Sequence, residues 1–407
     1  MHASRHHRER FIGDAASRTI VGLVALWLAL TPALTGAQEQ RATPAAEPMM
    51  AAAMFRGNAA GTGEQSGPGP EGDPVLLWQF DTDGRVDSTP AVVDGVVYVG
   101  SDDGNVYAID ADTAEERWHF TTGGAVDSSP AVANGRVYVG SADGSFYALE
   151  ASSGDERWRF ETGGAISASP VVVGEFVYFG SFDGVLYALD AERGSERWHY
   201  RIGQHVQTSP AVSQDTVYIG SNDGVLWALD AATGEERWQY QTNGGLISSP
   251  ALVAHTVYIG GGGNEGDLLN AVDAVTGALR WSFVPAGALV SSPAIAGDRI
   301  YILGGHAVLF AVESASGSEL WRAGFGDEGE GDEHENELLY FASPVVTDRT
   351  VYVGAESFIY AVDAESGEEQ WHFQAGGDMS SSPAVVDGVV YVGSSDGALY
   401  AVGSDNS

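Results

Sequence analysis

The stretch SDDGNVYAID, residues 101–110, places three carboxylates around a glycine within ten residues. Hard oxygen ligands crowded beside a glycine turn are the groups that Ca²⁺ prefers, so the stretch is a candidate calcium loop. A calcium site needs about six to eight converging oxygens, and one hairpin offers only two or three of them. The alternative is that each acid turns the chain, because Asp before Gly forms local hydrogen bonds to the backbone.

The recurrence of this phrase favours the turn interpretation. Similar phrases begin at Ser141, Ser181, Ser221 and Ser394. The acids that precede glycine in these hairpins are Asp103, Asp143, Asp183, Asp223 and Asp396. The acids that close the next strand and are predicted to cap the turn after it are Asp110, Asp190, Asp230, Asp273 and Asp363. A phrase with a period of about forty residues describes an architecture, and function is then expected where the repeat is broken.

Three kinds of anchor residue share this period. A strand of the type VYVG recurs, as at Val97–Gly100 and Val390–Gly393. A proline that follows Ser or Thr stands at positions 90, 130, 170, 210, 250, 293, 344 and 383. A tryptophan closes each unit: Trp78, Trp118, Trp158, Trp198, Trp238, Trp281, Trp321 and Trp371. Eight units of this length predict an all-β, eight-bladed propeller with four antiparallel strands in each blade.

The two ends of the repeat array predict how the propeller closes. The last unit ends at Ala398–Gly403 without a Trp strand, and the first Trp strand, Leu76–Phe80, has no unit before it. Joined together, they make a complete blade whose outer strand comes from the N-terminal end of the array. Closure of this kind removes sheet edges that would otherwise promote aggregation.

The motif WALDAATGEERW at Trp227–Trp238, repeated in variants along residues 75–403, resembles the PQQ-type propeller repeat family. Members of that family include quinoprotein dehydrogenases and outer-membrane assembly propellers of the BamB type. The segment FRGNAAGTGEQSGPGP, Phe55–Pro70, resembles the leader that precedes such repeats in exported proteins. The resemblance implies that each Trp docks against the glycine of the preceding turn and ties one blade to another.

Composition excludes several classes of protein. The chain has 407 residues, 56 acids and 19 bases, and it contains neither Cys nor Lys. A surface this acidic repels nucleic acid and anionic lipid headgroups. The absence of Cys excludes disulfides and thiolate metal sites, and also the paired-cysteine disulfide that the resemblance would imply for a quinoprotein dehydrogenase. A lipid-modified cysteine is excluded for the same reason.

The chain divides by composition into four parts. Basic residues, an apolar run and small residues before Ala37 predict a signal peptide over residues 1–37 and export to the periplasm or the cell exterior. Residues 38–73, rich in Ala, Gly and Pro, are predicted to be a flexible linker. The propeller is predicted over residues 74–403, and residues 404–407 form a tail. No second segment is suited to crossing a bilayer, and a monomer is expected.

Positions just before each Ser-Pro pair are predicted to line the mouth of the central channel. The polar candidates there are Arg85, Asp87, Asp127, His205, Gln207 and Asp378. Asp87 and Asp127 are candidates for a carboxylate pair. The alternative is that all of these side chains are simply hydrated.

Two units are irregular, with a lengthened hairpin at Gly260–Asn270 and an acidic insertion at Gly324–Tyr340. Both are expected on the face of the channel mouth. Weak candidates for metal ligands in the insertion are Asp327, Glu330, Asp332, His334 and Glu335. No known metal-ligand spacing is present, and charge runs of this kind are usually solvated.

The sequence therefore predicts an exported, non-catalytic scaffold or binding protein that presents an acidic propeller face to a protein partner, resembling BamB-type propellers. No catalytic residue and no cofactor are predicted. The alternative is a PQQ-dependent oxidoreductase or a quinone or small-molecule sensor, with PQQ and Ca²⁺ at the channel mouth near Arg85 and His205.

Overall fold

The computed structural model describes residues 54–70, 72–242, 244–246, 248–261, 268–285, 289, 291–305, 307–325 and 342–404. These residues form eight four-stranded antiparallel sheets arranged as the blades of a propeller, so the predicted fold is confirmed. No helix in the described ranges is long and apolar enough to cross a membrane. The predicted signal peptide lies outside the described residues.

Each blade contains one strand of each of four types, numbered here in chain order. The inner strands are β2 (Ala91–Val93), β6 (Ala131–Ala133), β10 (Val171–Val173), β14 (Ala211–Ser213), β18 (Ala251–Val253), β22 (Ala294–Ala296), β26 (Val345–Thr347) and β30 (Ala384–Val386). The second strands are β3 (Val96–Gly100), β7 (Arg136–Gly140), β11 (Phe176–Gly180), β15 (Thr216–Gly220), β19 (Thr256–Gly261), β23 (Arg299–Gly304), β27 (Thr350–Ala355) and β31 (Val389–Gly393). The third strands are β4 (Asn105–Asp110), β8 (Ser145–Glu150), β12 (Val185–Asp190), β16 (Val225–Asp230), β20 (Leu268–Asp273), β24 (Val308–Glu313), β28 (Phe358–Asp363) and β32 (Ala398–Gly403). The outer strands are β1 (Val75–Asp81), β5 (Glu116–Thr121), β9 (Glu156–Glu161), β13 (Glu196–Arg201), β17 (Glu236–Gln241), β21 (Leu279–Phe283), β25 (Glu319–Gly324) and β29 (Glu369–Gln374).

The propeller closes through the N-terminal strand, as the ends of the array predict. Strand β1 pairs antiparallel with β32, with Val75 opposite Gly403 and Asp81 opposite Ala398. Blade 8 is therefore β30, β31, β32 and β1, and blade 1 begins at β2.

Apolar residues of neighbouring blades pack against one another to form the core. Eight buried clusters each combine residues from two adjacent blades. Between blades 1 and 2, for example, Tyr98 and Val106 pack with Val137 and Val139. Strands two and three are buried on both sides, which explains their continuous apolar runs.

The tryptophans tie the blades together, although not to the turn that the family resemblance implied. A Cβ added to Gly154 would lie 2.7 Å from Cε3 of Trp118, so this glycine lets the indole ring pack against the backbone. Gly154 belongs to the blade that follows Trp118, and not to a preceding turn. The same contact recurs in the pairs Trp158 with Gly194, Trp198 with Gly234, Trp238 with Gly277, Trp281 with Gly317, and Trp321 with Gly367. Trp78 reaches blade 1 through a hydrogen bond to Ala111 O, 2.8 Å, and Trp371 is buried between blades 7 and 8.

Hydrogen bonds to one carbonyl reinforce most of these contacts. The Trp118 indole N–H and the Tyr98 hydroxyl both donate to Ala151 O, at 3.0 and 3.2 Å. Equivalent pairs of donors converge on Ala231, Ala274, Ser314 and Ala364. At the junction of blades 2 and 3, only Tyr138 donates to Ala191 O, and the buried Trp158 indole N–H has no partner among the described residues.

A chain of serine hydroxyls surrounds the channel. In blades 1 to 7, the backbone N–H of the residue before proline donates to the Oγ of its counterpart in the next blade, at 2.8–3.1 Å. The residues in this chain, from blade 1 to blade 8, are Thr89, Ser129, Ser169, Ser209, Ser249, Ser292, Ser343 and Ser382. Their hydroxyls therefore link the blades near the channel axis, as the tryptophans do farther out.

Residues 54–70 lie in the channel and are not the flexible linker that their composition predicts. Arg56 is 2% exposed, and residues 61–63 are buried. The backbone of this channel segment, as we call residues 54–70, is hydrogen bonded to the inner strands of blades 4 to 7, and the Gln65 side chain is hydrogen bonded to that of blade 8. Its glycines serve close packing here, because a Cβ on Gly61 would lie 2.7 Å from Pro250 O. The rest of the predicted linker, apart from residues 72 and 73, lies outside the described residues.

Candidate functional site at the channel mouth

The hairpins between second and third strands lie on the same face as the connections between blades. Asp102 N donates to Arg85 O at 2.9 Å, Ala142 N to Ala125 O at 2.8 Å, and Ser395 N to Asp378 O at 2.9 Å. In each case the first residue is in a hairpin and the second is in a connection. We call this the mouth face, and the opposite one the turn face.

The hairpin acids are occupied by bonds within the chain. Asp143 accepts hydrogen bonds from Ser145 N at 2.7 Å, Tyr147 Oη at 2.6 Å and Gly123 N at 2.7 Å. Burial alone would raise the pKa of Asp143, but these hydrogen bonds lower it below its usual value. Asp103, Asp183 and Asp396 likewise accept from a backbone N–H two residues on and from a tyrosine four residues on. These acids turn the chain, as their recurrence suggests.

The second set of acids caps the outer hairpins on the turn face. Asp110 accepts from the Thr113 backbone N–H and hydroxyl, each at 3.0 Å, and pairs with Arg117 at 2.7 Å. The hydrogen bond from Arg117, followed by those from Thr113, lowers the pKa of Asp110 to about 2. The carboxylate of Asp273 is held in the same way by Arg280 and Thr276. These acids are structural.

At the mouth, blade 1 brings together four charged side chains. Arg85 Nε lies 3.3 Å from Asp87 Oδ1, and both belong to the connection that enters blade 1. Asp102, from the hairpin of blade 1, makes a side-chain hydrogen bond with Asp127, from the connection that leaves it. Partial burial raises the pKa of Asp102 to about 7, with further contributions from the hydrogen bond and charge of Asp127 and the charge of Asp87, against the opposing effect of Arg85. We call these four residues the mouth cluster.

The carboxylate pair therefore differs from the one predicted. Asp127 is paired with Asp102, whereas Asp87 is bonded to Arg85. Sequence reasoning missed Asp102 because it was assigned to the repeating hairpin. The sequence feature that could have identified Asp102 is its place at the variable second position of the S-x-D-G phrase, next to the connection.

The remaining candidates lie at other blades of the mouth. The His205 ring stacks on Phe182, with centroids 5.2 Å apart and planes 3° from parallel. Gln207 Oε1 accepts from Asn222 Nδ2 at 3.4 Å. The Asp378 side chain is exposed, and the Asp378 backbone N–H donates to Ser395 Oγ at 3.0 Å. Phe182 and Asn222 were missed for the same reason as Asp102, since they occupy the same hairpin position.

The acidic insertion and its candidate ligands, Asp327, Glu330, Asp332, His334 and Glu335, lie outside the described residues. So does most of the lengthened hairpin in blade 5. Across the part of the chain that the structure describes, no group of three or more His, Cys, Asp or Glu side chains is placed to hold a metal ion.

The mouth cluster does not suit a quinone cofactor that carries carboxylates. Arg85 is already bonded to Asp87, and Asp102 and Asp127 lie beside them. A bound anion would lie beside three carboxylates there. Its charge would add to the negative charge that already contributes to the raised pKa of Asp102. Below the mouth, the channel segment occupies the space between the inner strands.

Comparison with known proteins identifies the family. The family described as the beta-propeller of beta-alanine-activating enzyme matches residues 72–357, from just before β1 into blade 7. The chain belongs to this beta-propeller family. No curated protein matches the chain in sequence.

Several solved structures are similar in fold to this member of the beta-propeller family. BamB from Moraxella catarrhalis is similar, with a TM-score of 0.67 and 20% identity over 81% of this chain and 99% of BamB. The quinohemoprotein alcohol dehydrogenase of Comamonas testosteroni has a TM-score of 0.71 and 17% identity over 86% of this chain and 80% of the enzyme. The computationally designed protein Ika8 has a TM-score of 0.67 and 17% identity over 80% of this chain and 98% of its own. At these identities the likeness extends to the fold alone, which BamB, an alcohol dehydrogenase and a designed protein share.

Proposed function

We propose that the chain is an exported, non-catalytic binding protein whose acidic channel mouth engages a positively charged segment of a protein partner. The observation that carries this proposal is the mouth cluster, where Asp87, Asp127 and Arg85 from the two connections lie close enough to Asp102 to shift its pKa. The role resembles that of BamB-type assembly propellers.

The charge at the mouth is incompletely neutralised, and this favours a cationic partner. The pKa of Asp102 is raised to about 7, which means that its surroundings oppose its ionisation. A guanidinium or ammonium group brought to the pair of Asp102 and Asp127 would relieve that resistance and favour the ionised form of Asp102. The formal net charge of −37 adds a long-range attraction that speeds encounter with basic segments.

Binding of a short arginine-rich peptide, followed by fluorescence anisotropy, tests the proposal. Neutralising the mouth with Asp102→Asn and Asp127→Asn is expected to weaken binding about tenfold, in line with the loss of one or two charge-assisted hydrogen bonds. The matched control is Asp298→Asn with Glu365→Gln, which removes the same formal charge from exposed positions on the turn face. Equal weakening by both double variants would show general attraction and contradict a site at the mouth.

The quinone alternative is tested by titrating the purified protein with PQQ and Ca²⁺ and recording absorbance and melting temperature. We expect no saturable change. A saturable spectrum with a raised melting temperature, both lost in Arg85→Ala, would overturn the proposal of a non-catalytic binding protein.

Export rests on the basic and apolar pattern of residues 1–37. The prediction is checked by expressing the full chain in a bacterium and sequencing the N-terminus of the protein found outside the cytoplasm. Cleavage near Ala37 supports export, and an intact chain retained in the cytoplasm contradicts it.

A further inference from the structure

The channel segment is bound to the propeller as an extended peptide is bound by a receptor. Its carbonyls accept one hydrogen bond from each of four successive inner strands. The bonds are Val212 N to Ala59 O at 2.6 Å, Leu252 N to Ala60 O at 2.9 Å, Ile295 N to Thr62 O at 2.7 Å, and Val346 N to Gly63 O at 2.9 Å. In blade 8, Val385 N donates to the Gln65 side chain at 2.6 Å.

These contacts use the second residue of each inner strand. In β14 and its equivalents, the first and third residues face the neighbouring strand in a tight two-residue hairpin, and the second residue directs its N–H toward the channel. The blades therefore present a ring of inward-facing donors, and the channel segment follows that ring from blade 4 to blade 8.

Arg56 anchors the segment. Its guanidinium donates to Ser292 O at 3.1 Å and to Pro293 O in blade 6, while its Nε donates to Gly61 O within the segment at 3.0 Å. Burial lowers the pKa of Arg56 to about 9, which still leaves it charged at neutral pH. A fully buried arginine that donates to three carbonyls is the kind of side chain that dominates the affinity of an interface.

Small residues allow the segment to lie this close to the channel wall. A Cβ on Gly63 would lie 2.5 Å from Arg56 Nη2 and 3.0 Å from Ala294 Cβ, and Gly63 has a φ of 69°. Gly61 is restricted in the same way by Pro250 O. The wall therefore selects a chain with an arginine followed by glycines at these two spacings.

We propose that the channel of this propeller is a peptide-binding site, and that residues 54–70 are its tethered ligand. The site takes an extended peptide of the pattern R-x-x-x-x-G-x-G through backbone hydrogen bonds and one buried guanidinium. Covalent attachment through residues 71–74 keeps the ligand at a high local concentration, so peptides from outside do not compete with it.

Cutting the tether in the folded protein tests this inference. A recognition sequence for a specific protease is inserted in the full chain at the exposed residues Gly72 and Asp73, and the purified protein is cleaved without denaturation. The N-terminal fragment is expected to co-elute with the propeller in gel filtration. The near-ultraviolet circular dichroism of the tryptophans is expected to remain that of the uncut protein.

Exchange distinguishes a ligand from a part of the fold. A fluorescent peptide of residues 54–70 is expected to enter the cleaved protein at excess but not the uncut protein, and the same peptide with Arg56→Ala is expected to bind at least tenfold more weakly. Loss of tertiary structure on cleavage would overturn the proposal, since the segment would then belong to the fold. Failure of the labelled peptide to exchange, or equal binding of the two peptides, would also overturn it. None of these outcomes depends on the acidic mouth cluster.

Discussion

Asp102 lies where two connections and a hairpin meet, and its environment sets it apart from the other hairpin residues. The equivalent residues in blades 2, 3, 4 and 8 are Ala142, Phe182, Asn222 and Ser395. Of these five positions, only that of Asp102 therefore places a carboxylate close to Asp87 and Asp127. The residue is costly to ionise, which fits a role in binding better than a role in folding.

The stability of the protein should depend on pH through Asp102. Its pKa of about 7 in the folded protein lies above the value near 4 of an unfolded aspartate, so the folded state binds the proton more tightly. The free energy of unfolding should therefore fall as pH rises between about 4 and 7, with the full cost present above that window. Urea midpoints at pH 5 and pH 8 measure the effect.

Asp102→Asn should flatten this dependence, because the amide keeps a donor for Asp127 and does not titrate. Asp298→Asn on the turn face should leave the slope of the parent unchanged. An unaltered slope in Asp102→Asn would assign the pH dependence to other groups.

Ala114 is a second position where one residue departs from the repeat. It has a φ of 58° in the outer hairpin of blade 1, where the other blades with this turn have glycine, as at Gly154 with a φ of 75°. Ala114→Gly should stabilise the protein by about 0.5 to 1 kcal/mol, which is the cost of a left-handed alanine less the added chain entropy of glycine. The reverse change, Gly154→Ala, should destabilise by about 2 kcal/mol, because its Cβ would also meet Trp118. Chemical denaturation of both variants checks the opposite signs.

At the scale of the elements, the tryptophan in the outer strand of one blade packs against the next blade and holds the two blades together. The ring packs on a glycine and the indole N–H bonds a carbonyl, so the contact has an apolar part and a polar part. The junction of blades 2 and 3 keeps the first part and lacks the second, since Trp158 has no acceptor among the described residues.

Replacing this tryptophan should therefore cost less than replacing its equivalent. Trp118→Phe loses the hydrogen bond to Ala151 O, whereas Trp158→Phe removes a donor that was already unsatisfied. Both variants lose similar ring area, so Trp158→Phe should be the milder of the two by about 1 kcal/mol. Urea unfolding followed by circular dichroism measures the difference, and equal losses would indicate that the indole bond contributes nothing.

The repeat made the strands and their closure predictable, and the same regularity hid the channel segment. The period of Pro, VYVG and Trp located every blade, and the unpaired strand at Leu76–Phe80 identified the closing one. Residues 54–70 contain the glycines and alanines of a linker, and their bonds join backbone groups far apart in sequence. Backbone hydrogen bonds leave almost no mark on residue type, so only the buried Arg56 offered a signal. The mouth cluster was only partly predictable. Candidates were sought in the connections between blades, whereas Asp102 lies in a hairpin.

At the scale of the whole molecule, negative charge acts against the compact state. The full chain has a formal net charge of −37, and in the propeller ion pairs such as Arg117 with Asp110 and Arg280 with Asp273 are exposed. Exposed pairs contribute little each, whereas the repulsion accumulates over the whole surface.

Added salt should therefore stabilise the protein. Raising NaCl from about 0.1 to 1 M shortens the screening length from about 10 to 3 Å, which removes more repulsion than attraction in a chain this acidic. The melting temperature should rise across this range. An uncharged osmolyte such as glycerol at matched osmolality is the control, and a salt effect no larger than that of glycerol would exclude charge screening as its cause.

The serine chain around the channel has a direction and two ends. Seven N–H groups, from Thr89 to Ser343, each donate to the hydroxyl of the following blade, and among the described residues no such bond runs from Ser382 in blade 8 to Thr89 in blade 1. The gap in this network therefore lies beside blade 8, the blade that β1 completes. Circular permutation would separate the two features. A chain opened on the exposed turn between β14 and β15, with its original ends joined ahead of the channel segment, would be completed from both ends at blade 4 and would keep the missing bond between blades 8 and 1.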